Sequence, residues 1–425
     1  MSGRAALVLA AALLLTGGCT TRERTNPLDP RNSVTQGSLV GFNAIAADSV
    51  VELRWPPLRV QGVLGYRVQR WRPGGEPQSL GTTDTNPDAI AAEDPDVKND
   101  STYVYRLIAH LDTGDSVFSA PDTVTPGTRR IFALAAGTPS FLRLTPDARD
   151  VLYELPVQES YVDMELNRST GVLWFAAESG GLVLRRTPDG AFVGAAIETG
   201  SPGDLSVSSN RGLGWVVSLG NGSVTSYGPD VNDATPRSTI GDVPNPRIVE
   251  AGTTDPSVWV GDEAGEVYRF QAQDIVRTHL WSLGQGPIRA IALDEARGGA
   301  WVATRAPQGT LFYLDPVDSS ATVVRTPLLN AADLAVDPTT GDLWIAERGP
   351  ANLGGGRLSL ITRAGVALAT VGSIEPYGID VDPLDGSCWV SDLHSNRILH
   401  ISRSGATLRA SPPLATPYAV RVAIP

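Results

Sequence analysis

The stretch PYGIDVDPLDGSCWVSDLHSNRILHISRSG, residues 376–405, contains three short apolar runs separated by turn residues, with a tryptophan in the middle run. Proline cannot continue a sheet ladder and aspartate caps turns, so Asp382 and Pro383 end the first run. A fourth, weaker alternating run follows Gly405. We therefore predict four strands, which we call A (377–382), B (387–392), C (397–402) and D (406–411).

This unit recurs along the chain, and each copy has an aromatic residue within its B strand. The seven aromatic residues are Phe132, Trp174, Trp215, Trp259, Trp301, Trp344 and Trp389. Successive members are 42, 41, 44, 42, 43 and 45 residues apart. A period of about 40 to 45 residues built from four short strands is typical of a β-propeller blade, in which the large ring fills the wedge between neighbouring sheets.

The two ends of the repeat region predict how the ring closes. Residues 129–156 supply strands B, C and D but no preceding strand A, while residues 417–425 resemble a strand A with no blade after it. Pairing the two would complete a seventh blade and remove an exposed sheet edge. The fold class is therefore all-β, with a seven-bladed β-propeller over residues 127–425 that is closed by pairing of the C-terminal strand with the N-terminal blade.

Two copies carry a family resemblance. Residues 376–405 and the stretch AADLAVDPTTGDLWIAERGPANLGGGRLSLITRAG, residues 331–365, resemble NHL repeats, within a wider class of NHL-like and streptogramin-lyase-like propellers. Lactonase-like relatives bind a metal through Glu, Asn and Asp, and lyase-like relatives use His and Glu with a divalent ion. Of the four histidines here, only His394 lies in a predicted loop between strands B and C, which counts against the lyase-like interpretation.

Residues 38–126 form a separate predicted unit of short alternating segments, as expected for a small β-sandwich. The segment TYVYRLIAHL, residues 102–111, places Tyr103, Tyr105 and Leu107 on one face. This unit resembles a fibronectin type III domain, with Trp55 at the core tryptophan of strand B and Tyr103 at the tyrosine-corner position. The resemblance implies a spacer or a binding module.

The N-terminal segment has the layout of an export signal. Residues 1–18 contain Arg4 and then an apolar run, and the string LLLTGGC, residues 13–19, resembles the lipobox of bacterial lipoproteins. The resemblance implies lipidation of Cys19 and a membrane anchor. Residues 19–37 are polar and predict a flexible tether. Because Thr20 rather than aspartate follows the cysteine, we expect a lipid-anchored protein of the bacterial cell envelope, at the outer membrane.

Charge and cysteine content limit the partners. The net charge of -12, with no basic cluster, argues against nucleic acid. Only two cysteines are present, so lipidation of Cys19 leaves no intramolecular disulfide, and Cys388 is expected to be a small buried apolar residue. We expect a monomer.

Propellers commonly bind ligands over the central opening, here on the face that carries the D-to-A and B-to-C loops. The candidate ligand-face residues are Glu178, Asn221, Asp262, Glu263, Arg305, Glu347, Arg348, Asn352, Asp392, His394 and Asn396. Three of the acidic residues lie three positions after their tryptophan, where a carboxylate can cap the following turn. The same carboxylates can alternatively hold Ca²⁺ or Mg²⁺ through oxygen ligands.

Three hypotheses of function remain open at this stage. The first is a non-catalytic module that binds a protein, peptide or glycan and needs no cofactor. The second is a metal-dependent lactonase-like or lyase-like enzyme that uses the same face. The third is a purely structural spacer of the envelope, which predicts no concave polar centre. No nucleophile elbow, zinc-spaced Cys/His set or dinucleotide fingerprint is present.

Overall fold

The computed structural model describes residues 28–29, 31–32, 36–58, 62–81, 86–158, 160–305, 308–349 and 355–424. Its regular secondary structure is entirely β, and no helix in these ranges has the length and hydropathy of a membrane span. The chain divides into two compact units between Gly127 and Thr128. Cys19, the export segment and most of the tether lie outside the described residues.

The first unit consists of two antiparallel sheets. Its strands are β1 (Asn43–Ala46), β2 (Val51–Arg54), β3 (Val63–Trp71), β4 (Gln78–Ser79), β5 (Ala91–Asp94), β6 (Tyr103–Leu111), β7 (Ser116–Phe118) and β8 (Asp122–Val124). One sheet has the order β1-β2-β5, and the other has the order β4-β3-β6-β7 with β8 also paired to β6. Alternating side chains of both sheets, including Leu53, Trp55, Tyr66 and Tyr105, form one buried core.

Three polar contacts join residues 94–98 to strands β3 and β6. The backbone N–H of Lys98 donates to the Tyr103 hydroxyl oxygen at 2.9 Å. The Tyr105 hydroxyl donates to the fully buried Asp94 carboxylate at 2.7 Å, and Arg70 pairs with the same carboxylate at 2.7 Å. The buried carboxylate is thus both hydrogen-bonded and paired, as a charge in a core requires.

The second unit consists of seven four-stranded antiparallel sheets in the described residues. The first four sheets use β9 (Arg130–Ala135), β10 (Ser140–Leu144), β11 (Val151–Pro156), β12 (Tyr161–Leu166), β13 (Leu173–Ala177), β14 (Leu182–Arg186), β15 (Ile197–Glu198), β16 (Pro202–Ser208), β17 (Leu213–Ser218), β18 (Ser223–Tyr227), β19 (Pro236–Ile240), β20 (Pro246–Ala251), β21 (Ser257–Asp262), β22 (Glu266–Gln271) and β23 (Val276–Ser282). The remaining strands are β24 (Ile288–Asp294), β25 (Gly299–Thr304), β26 (Gly309–Asp315), β27 (Ser320–Leu328), β28 (Ala331–Val336), β29 (Leu343–Glu347), β30 (Gly356–Ile361), β31 (Ala367–Ile374), β32 (Pro376–Val381), β33 (Cys388–Asp392), β34 (Arg397–Ile401), β35 (Thr407–Ala410) and β36 (Pro417–Ala423).

The C-terminal strand completes the first sheet, which confirms the predicted closure. β36 pairs antiparallel with β9, with Val420 opposite Ala133 and Arg421 opposite Phe132, so the sheet order is β11-β10-β9-β36. The innermost strands contact one another in the cycle β12, β16, β20, β24, β28, β32, β36 and back to β12. The second unit is therefore a closed seven-bladed β-propeller, as the aromatic spacing predicts.

The recurring aromatic residues are packed between the sheets. Trp215, Trp259, Trp301, Trp344 and Trp389 are each at most 1 % exposed. Trp344 belongs to the same apolar cluster as residues of the next sheet, and its indole N–H donates to the Gly386 carbonyl there at 3.1 Å. Burial of such large rings supplies much of the apolar area that holds neighbouring sheets together.

Every innermost strand carries a β-bulge near its first residue. The register shifts in β12, β16, β20, β24, β28, β32 and β36 where each pairs with the second strand of its sheet. A bulge inserts an extra residue and re-aims the side chains beside it. The bulges therefore bear directly on which side chains line the centre of the ring.

Candidate functional site

A cavity of about 910 Å³ runs along the centre of the propeller. Residues from all seven innermost strands line it. One end is bordered by Glu263 and Arg305, which belong to loops between the second and third strands of their sheets. The other end is bordered by residues such as Thr254 and Glu295, from loops between the first and second strands. The cavity thus opens on the face predicted from the sequence and continues towards the opposite face.

We call the first end the mouth and define it by six side chains. They are Arg247, Glu263, Arg289, Arg305, Tyr377 and Tyr418. Four of them, Arg247, Arg289, Tyr377 and Tyr418, are the second residues of their strands, at the bulges. The bulges therefore supply most of the mouth.

The charges of the mouth are only partly neutralised. Arg247 pairs with Glu263 at 2.6 Å. The guanidinium carbon of Arg289 lies 5.9 Å from the centre of the Tyr377 ring, within range of a cation–π interaction. Within the described part of the chain, neither Arg289 nor Arg305 has a carboxylate within 4.0 Å of its guanidinium nitrogens. The mouth therefore carries two guanidinium groups without an ion pair.

Arg348 lies beside the mouth and supports Tyr377. Its guanidinium carbon is 5.0 Å from the Tyr377 ring centre, and its Nη2 donates to Glu375 Oε1 at 2.6 Å. Arg348 and Arg289 therefore both contact the Tyr377 ring. Because Arg348 is paired with Glu375, Arg289 and Arg305 are the mouth arginines without an ion pair in the described part of the chain, and the charge of Arg289 opposes the increase that burial causes in the pKa of Asp333.

Below the mouth lies an acidic section, which we call the shaft. It is defined by Asp163, Glu165, Asp204, Glu250, Asp333 and Asp380, together with Arg421. Burial raises the pKa of Asp163, Glu165 and Asp333, and the charge of Arg421 opposes that increase. The pKa values of Asp204 and Glu250 are raised well above the usual range by burial and, next in size, by the charges of Asp163 and Glu165 respectively.

The shaft carboxylates join neighbouring sheets. Asp163 accepts the N–H of Leu205 at 3.0 Å, and Asp204 accepts that of Val249 at 2.8 Å. In the same way, two further carboxylates accept N–H groups of the next innermost strand, from Ile379 to Asp333 at 2.9 Å and from Val422 to Asp380 at 2.7 Å. Arg421 donates to Glu165, and Arg168 pairs with Asp380 at 2.7 Å. These contacts give the shaft acids a structural role that is complete without a ligand.

The acidic candidates that follow a tryptophan are buried and committed to their own surroundings. Asp262 accepts the N–H groups of Ala264 and Glu266 at 2.9 and 2.8 Å, and Asp392 accepts that of His394 at 3.1 Å, so both cap turns. Glu347 instead forms ion pairs with Arg357 at 2.6 Å and Arg325 at 3.0 Å. All three are at most 1 % exposed.

The remaining candidates are divided between the mouth and the outer loops. Glu263 and Arg305 belong to the mouth, and Arg348 lies beside it. Glu178, Asn221, His394 and Asn396 are exposed in their loops and do not line the cavity. Asn221 donates to the Thr199 carbonyl at 3.2 Å. Asn352 lies outside the described residues.

One group of potential metal ligands occurs among the described residues, and it lies away from the mouth. Ligand atoms of Asp382, Asp385 and His400 lie within 4.8 Å of one another. Arg129 Nε is 2.5 Å from Asp382, so a guanidinium already holds the cation position beside that carboxylate. Burial lowers the pKa of His400 to about 4, and its ring stacks on Trp389 at 4.1 Å. The group is thus an internal ion-pair cluster, and it does not fit Ca²⁺ or Mg²⁺, which need several free oxygen ligands.

Sequence reasoning missed most of the mouth. Arg247, Arg289, Tyr377 and Tyr418 are in strands, whereas the candidate residues predicted from the sequence are in loops. An alignment of the repeats could have found three of them, because Arg247, Tyr377 and Tyr418 each follow a proline that opens the innermost strand. The β-bulges turn these side chains towards the cavity, and no particular residue type marks the bulge itself in these copies.

Comparisons with known proteins agree on the fold and go no further. No protein-family model matches the chain, and no curated protein matches it. Solved structures do match. Hydrazine synthase from Kuenenia stuttgartiensis is 11 % identical with a TM-score of 0.51, over 59 % of this chain and 78 % of that one.

Two further solved structures are similar at the same level. A functionally unknown protein from Desulfotomaculum acetoxidans is 13 % identical with a TM-score of 0.53, covering 70 % of this chain and 99 % of that chain. A chain of a mitotic checkpoint complex is 13 % identical with a TM-score of 0.51, over 61 % and 80 % of the two chains. These likenesses establish the β-propeller class, and fold does not determine function.

Proposed function

We propose that this chain is a cell-envelope lipoprotein whose propeller binds a protein, peptide or glycan at the mouth and catalyses no reaction. The observation that carries the proposal is the mouth itself. It is a concave polar opening on a cavity of about 910 Å³, with two guanidinium groups that have no ion pair among the described residues. A cavity of this size with a few convergent polar groups is typical of a ligand site.

The lipid anchor and the identity of the first unit belong to the same proposal. The lipobox-like string before Cys19 supports anchoring, and Cys388, the other cysteine, is fully buried and offers no alternative site. The hydrogen bond from Lys98 N–H to Tyr103 matches the tyrosine-corner arrangement, and Trp55 lies in the core, which supports a fibronectin type III domain. Substitution of Cys19 by serine should abolish partition of the chain into a detergent phase, and retained partition would contradict the anchor.

The state of the carboxylates favours binding over metal-dependent catalysis. Asp262 and Asp392 cap turns, and Glu347 is paired with two arginines, so none of the three is available as a metal ligand in this arrangement. We expect chelator, Ca²⁺ or Mg²⁺ to leave the melting temperature unchanged. A rise with metal that is abolished by Glu347→Gln or Asp392→Asn would replace this proposal with the enzyme.

The experiment is a thermal-unfolding screen of the full chain, purified in detergent, against peptides, oligosaccharides and small molecules. A ligand that binds only the native state stabilises it by about 2.7 kcal/mol at roughly 100 times Kd. We expect at least one probe to raise the melting temperature with concentration. Leu219→Trp, which adds bulk at a partly buried residue lining the cavity, should reduce that rise.

The matched control is Leu280→Trp, because Leu280 is 47 % exposed on the outer strand β23. This variant should respond to the probe like the wild type. If no probe raises the melting temperature, or if Leu219→Trp responds as fully as Leu280→Trp, the proposal that the mouth binds a ligand is wrong.

A further inference from the structure

The mouth also indicates what kind of ligand it takes, on the basis that the proposed binding function is correct. We propose that Arg289 and Arg305 together bind an isolated carboxylate of an acidic peptide. The partner chemistry is thus a single negative charge on a neutral chain, rather than a polyanion. Three features of the mouth and shaft, and the net charge of the whole chain, support this inference.

The first feature is that the two arginines lie on neighbouring backbone segments of one blade. Arg305 follows β25 directly, and its backbone N–H donates to the Pro287 carbonyl at 2.7 Å. This bond holds Arg305 against the start of β24, where Arg289 occupies the bulge. The planar guanidinium group can donate two parallel hydrogen bonds to a carboxylate, and such charge-assisted hydrogen bonds are stronger than neutral ones.

The second feature is that the other arginines near the mouth already form ion pairs. Arg247 is paired with Glu263, and Arg348 is paired with Glu375. Arg348 and Arg289 both contact the Tyr377 ring, which restricts the freedom of Arg289 before any ligand binds. A pre-ordered side chain loses less entropy on binding.

The third feature is the acidic shaft beneath. Asp204, Glu250 and Asp333 line the same cavity and have no ion pair within 4.0 Å among the described residues. The two cations of the shaft are already engaged, because Arg421 donates to Glu165 and Arg168 pairs with Asp380, so a second negative group would find no partner below the arginines. The carboxylate of the ligand is therefore held at the mouth with the rest of the peptide outside.

The fourth feature is the charge of the whole chain. With a net charge of -12, the protein repels a polyuronate, a polyphosphate or a nucleic acid over distances of roughly a Debye length, about 8 Å at physiological salt. A peptide with one carboxylate suffers little of this repulsion. Two local cations on a negatively charged protein therefore favour a ligand with a single negative charge.

The test is calorimetric titration of the full chain, in detergent, with the peptide acetyl-Gly-Glu-Gly-amide and its Glu-to-Gln counterpart. We expect saturable binding of the first at millimolar concentration, on the order of 1 mM, and binding at least about tenfold weaker of the second. The double variant Arg289→Gln, Arg305→Gln should weaken binding of the acidic peptide by about tenfold or more. Arg305→Gln alone, at an exposed residue, should give a smaller loss without disturbing the fold.

The control is the double variant Arg237→Gln, Arg277→Gln, which removes two positive charges from the outer strands β19 and β23. It should bind like the wild type. No saturable binding of the acidic peptide, or equal binding of both peptides, would overturn the carboxylate assignment. Equal loss in the control would show a non-specific charge effect and overturn it too.

Two further probes separate the sources of negative charge. Oligogalacturonate and inorganic polyphosphate should bind more weakly than the acidic peptide. Tighter binding of either probe, lost in the Arg289 and Arg305 double variant, would overturn the peptide assignment in favour of a polyanion. In that case, or if a neutral probe binds independently of both arginines, the proposed binding function still stands.

Discussion

Asp392 and Asp204 both accept hydrogen bonds from backbone N–H groups, but their surroundings differ and so does their effect on stability. Asp392 caps a turn after its own strand, whereas Asp204 binds the next sheet and lies in the shaft among other carboxylates. Burial and the charge of Asp163 raise the pKa of Asp204 well above the usual range. The position of the carboxylate, rather than its type, therefore decides its effect on stability.

The raised pKa values of the shaft acids predict that they stabilise the fold more at lower pH than at higher pH. The folded-state pKa values of Asp204 and Glu250 lie above their unfolded values, so the folded protein holds more protons between the two values. The free energy of unfolding therefore decreases as pH rises through this window. We expect the melting temperature to increase as the pH is lowered from about 8 to about 7, a range above the ordinary pKa of histidine, because His400, whose pKa burial lowers to about 4, opposes the increase at lower pH.

The variant Asp204→Asn should raise the melting temperature at the alkaline end and flatten this dependence. Asparagine keeps a carbonyl oxygen for the Val249 N–H while removing the charge. The matched control is Asp274→Asn, because Asp274 is exposed outside the shaft. A melting temperature for Asp204→Asn that is below wild type at pH 8, with an unchanged pH slope, would contradict the account.

The four-stranded blades were predictable because one physical requirement repeats. A large aromatic ring must fill the space between each pair of neighbouring sheets, and the tryptophan spacing of 41 to 45 residues makes this requirement visible in the sequence. The strands of the last blade lie within one residue of prediction, with β33 at Cys388–Asp392 and β34 at Arg397–Ile401. The candidate site was only partly predictable, because Arg289 and Tyr377 reach the mouth through bulges that residue type alone does not reveal.

The fit of one blade against the next is tight enough to exclude a methyl group at Gly214. A Cβ atom at this residue of β17 would lie 2.5 Å from a ring carbon of Trp174 in the preceding blade. We expect Gly214→Ala to reduce the free energy of unfolding by about 1–3 kcal/mol, since the overpacked ring must shift. Chemical denaturation measures this change.

Gly372→Ala serves as the control for that substitution. Gly372 lies on the outer strand β31, and a Cβ atom there would meet nothing within 4 Å. This variant should unfold within about 0.5 kcal/mol of the wild type or be slightly more stable. Equal destabilisation by both substitutions would show that loss of glycine, and not contact with Trp174, is responsible.

At the scale of the propeller, the ends of the second unit are joined twice. β36 pairs with β9, and Arg129, immediately before β9, pairs with Asp382 of the last blade at 2.5 Å. Burial by itself raises the pKa of Asp382, but the hydrogen bond and charge of Arg129 hold that pKa below its usual value. The closing blade is thus fixed by both a strand pairing and a buried ion pair.

Loss of the Arg129 side chain should therefore be costly. Arg129→Met leaves Asp382 as a buried charge without its main partner, and we expect a loss of about 3–5 kcal/mol in the free energy of unfolding. Adding Asp382→Asn should recover part of it, because the unpaired charge is removed. A single variant as stable as the wild type, or a double variant less stable than the single one, would contradict this role.

The central claim is that the mouth binds a ligand through Arg289 and Arg305, and side-chain NMR of the arginine Nε–H groups tests it most directly. Resonances assigned with Arg289→Lys and Arg305→Lys are followed while acetyl-Gly-Glu-Gly-amide is added to the full chain. The account predicts that the Arg289 and Arg305 resonances shift together and saturate, while that of Arg129, in its buried ion pair, does not move. Shifts absent from both mouth arginines, or equal for arginines on the outer strands, would contradict it.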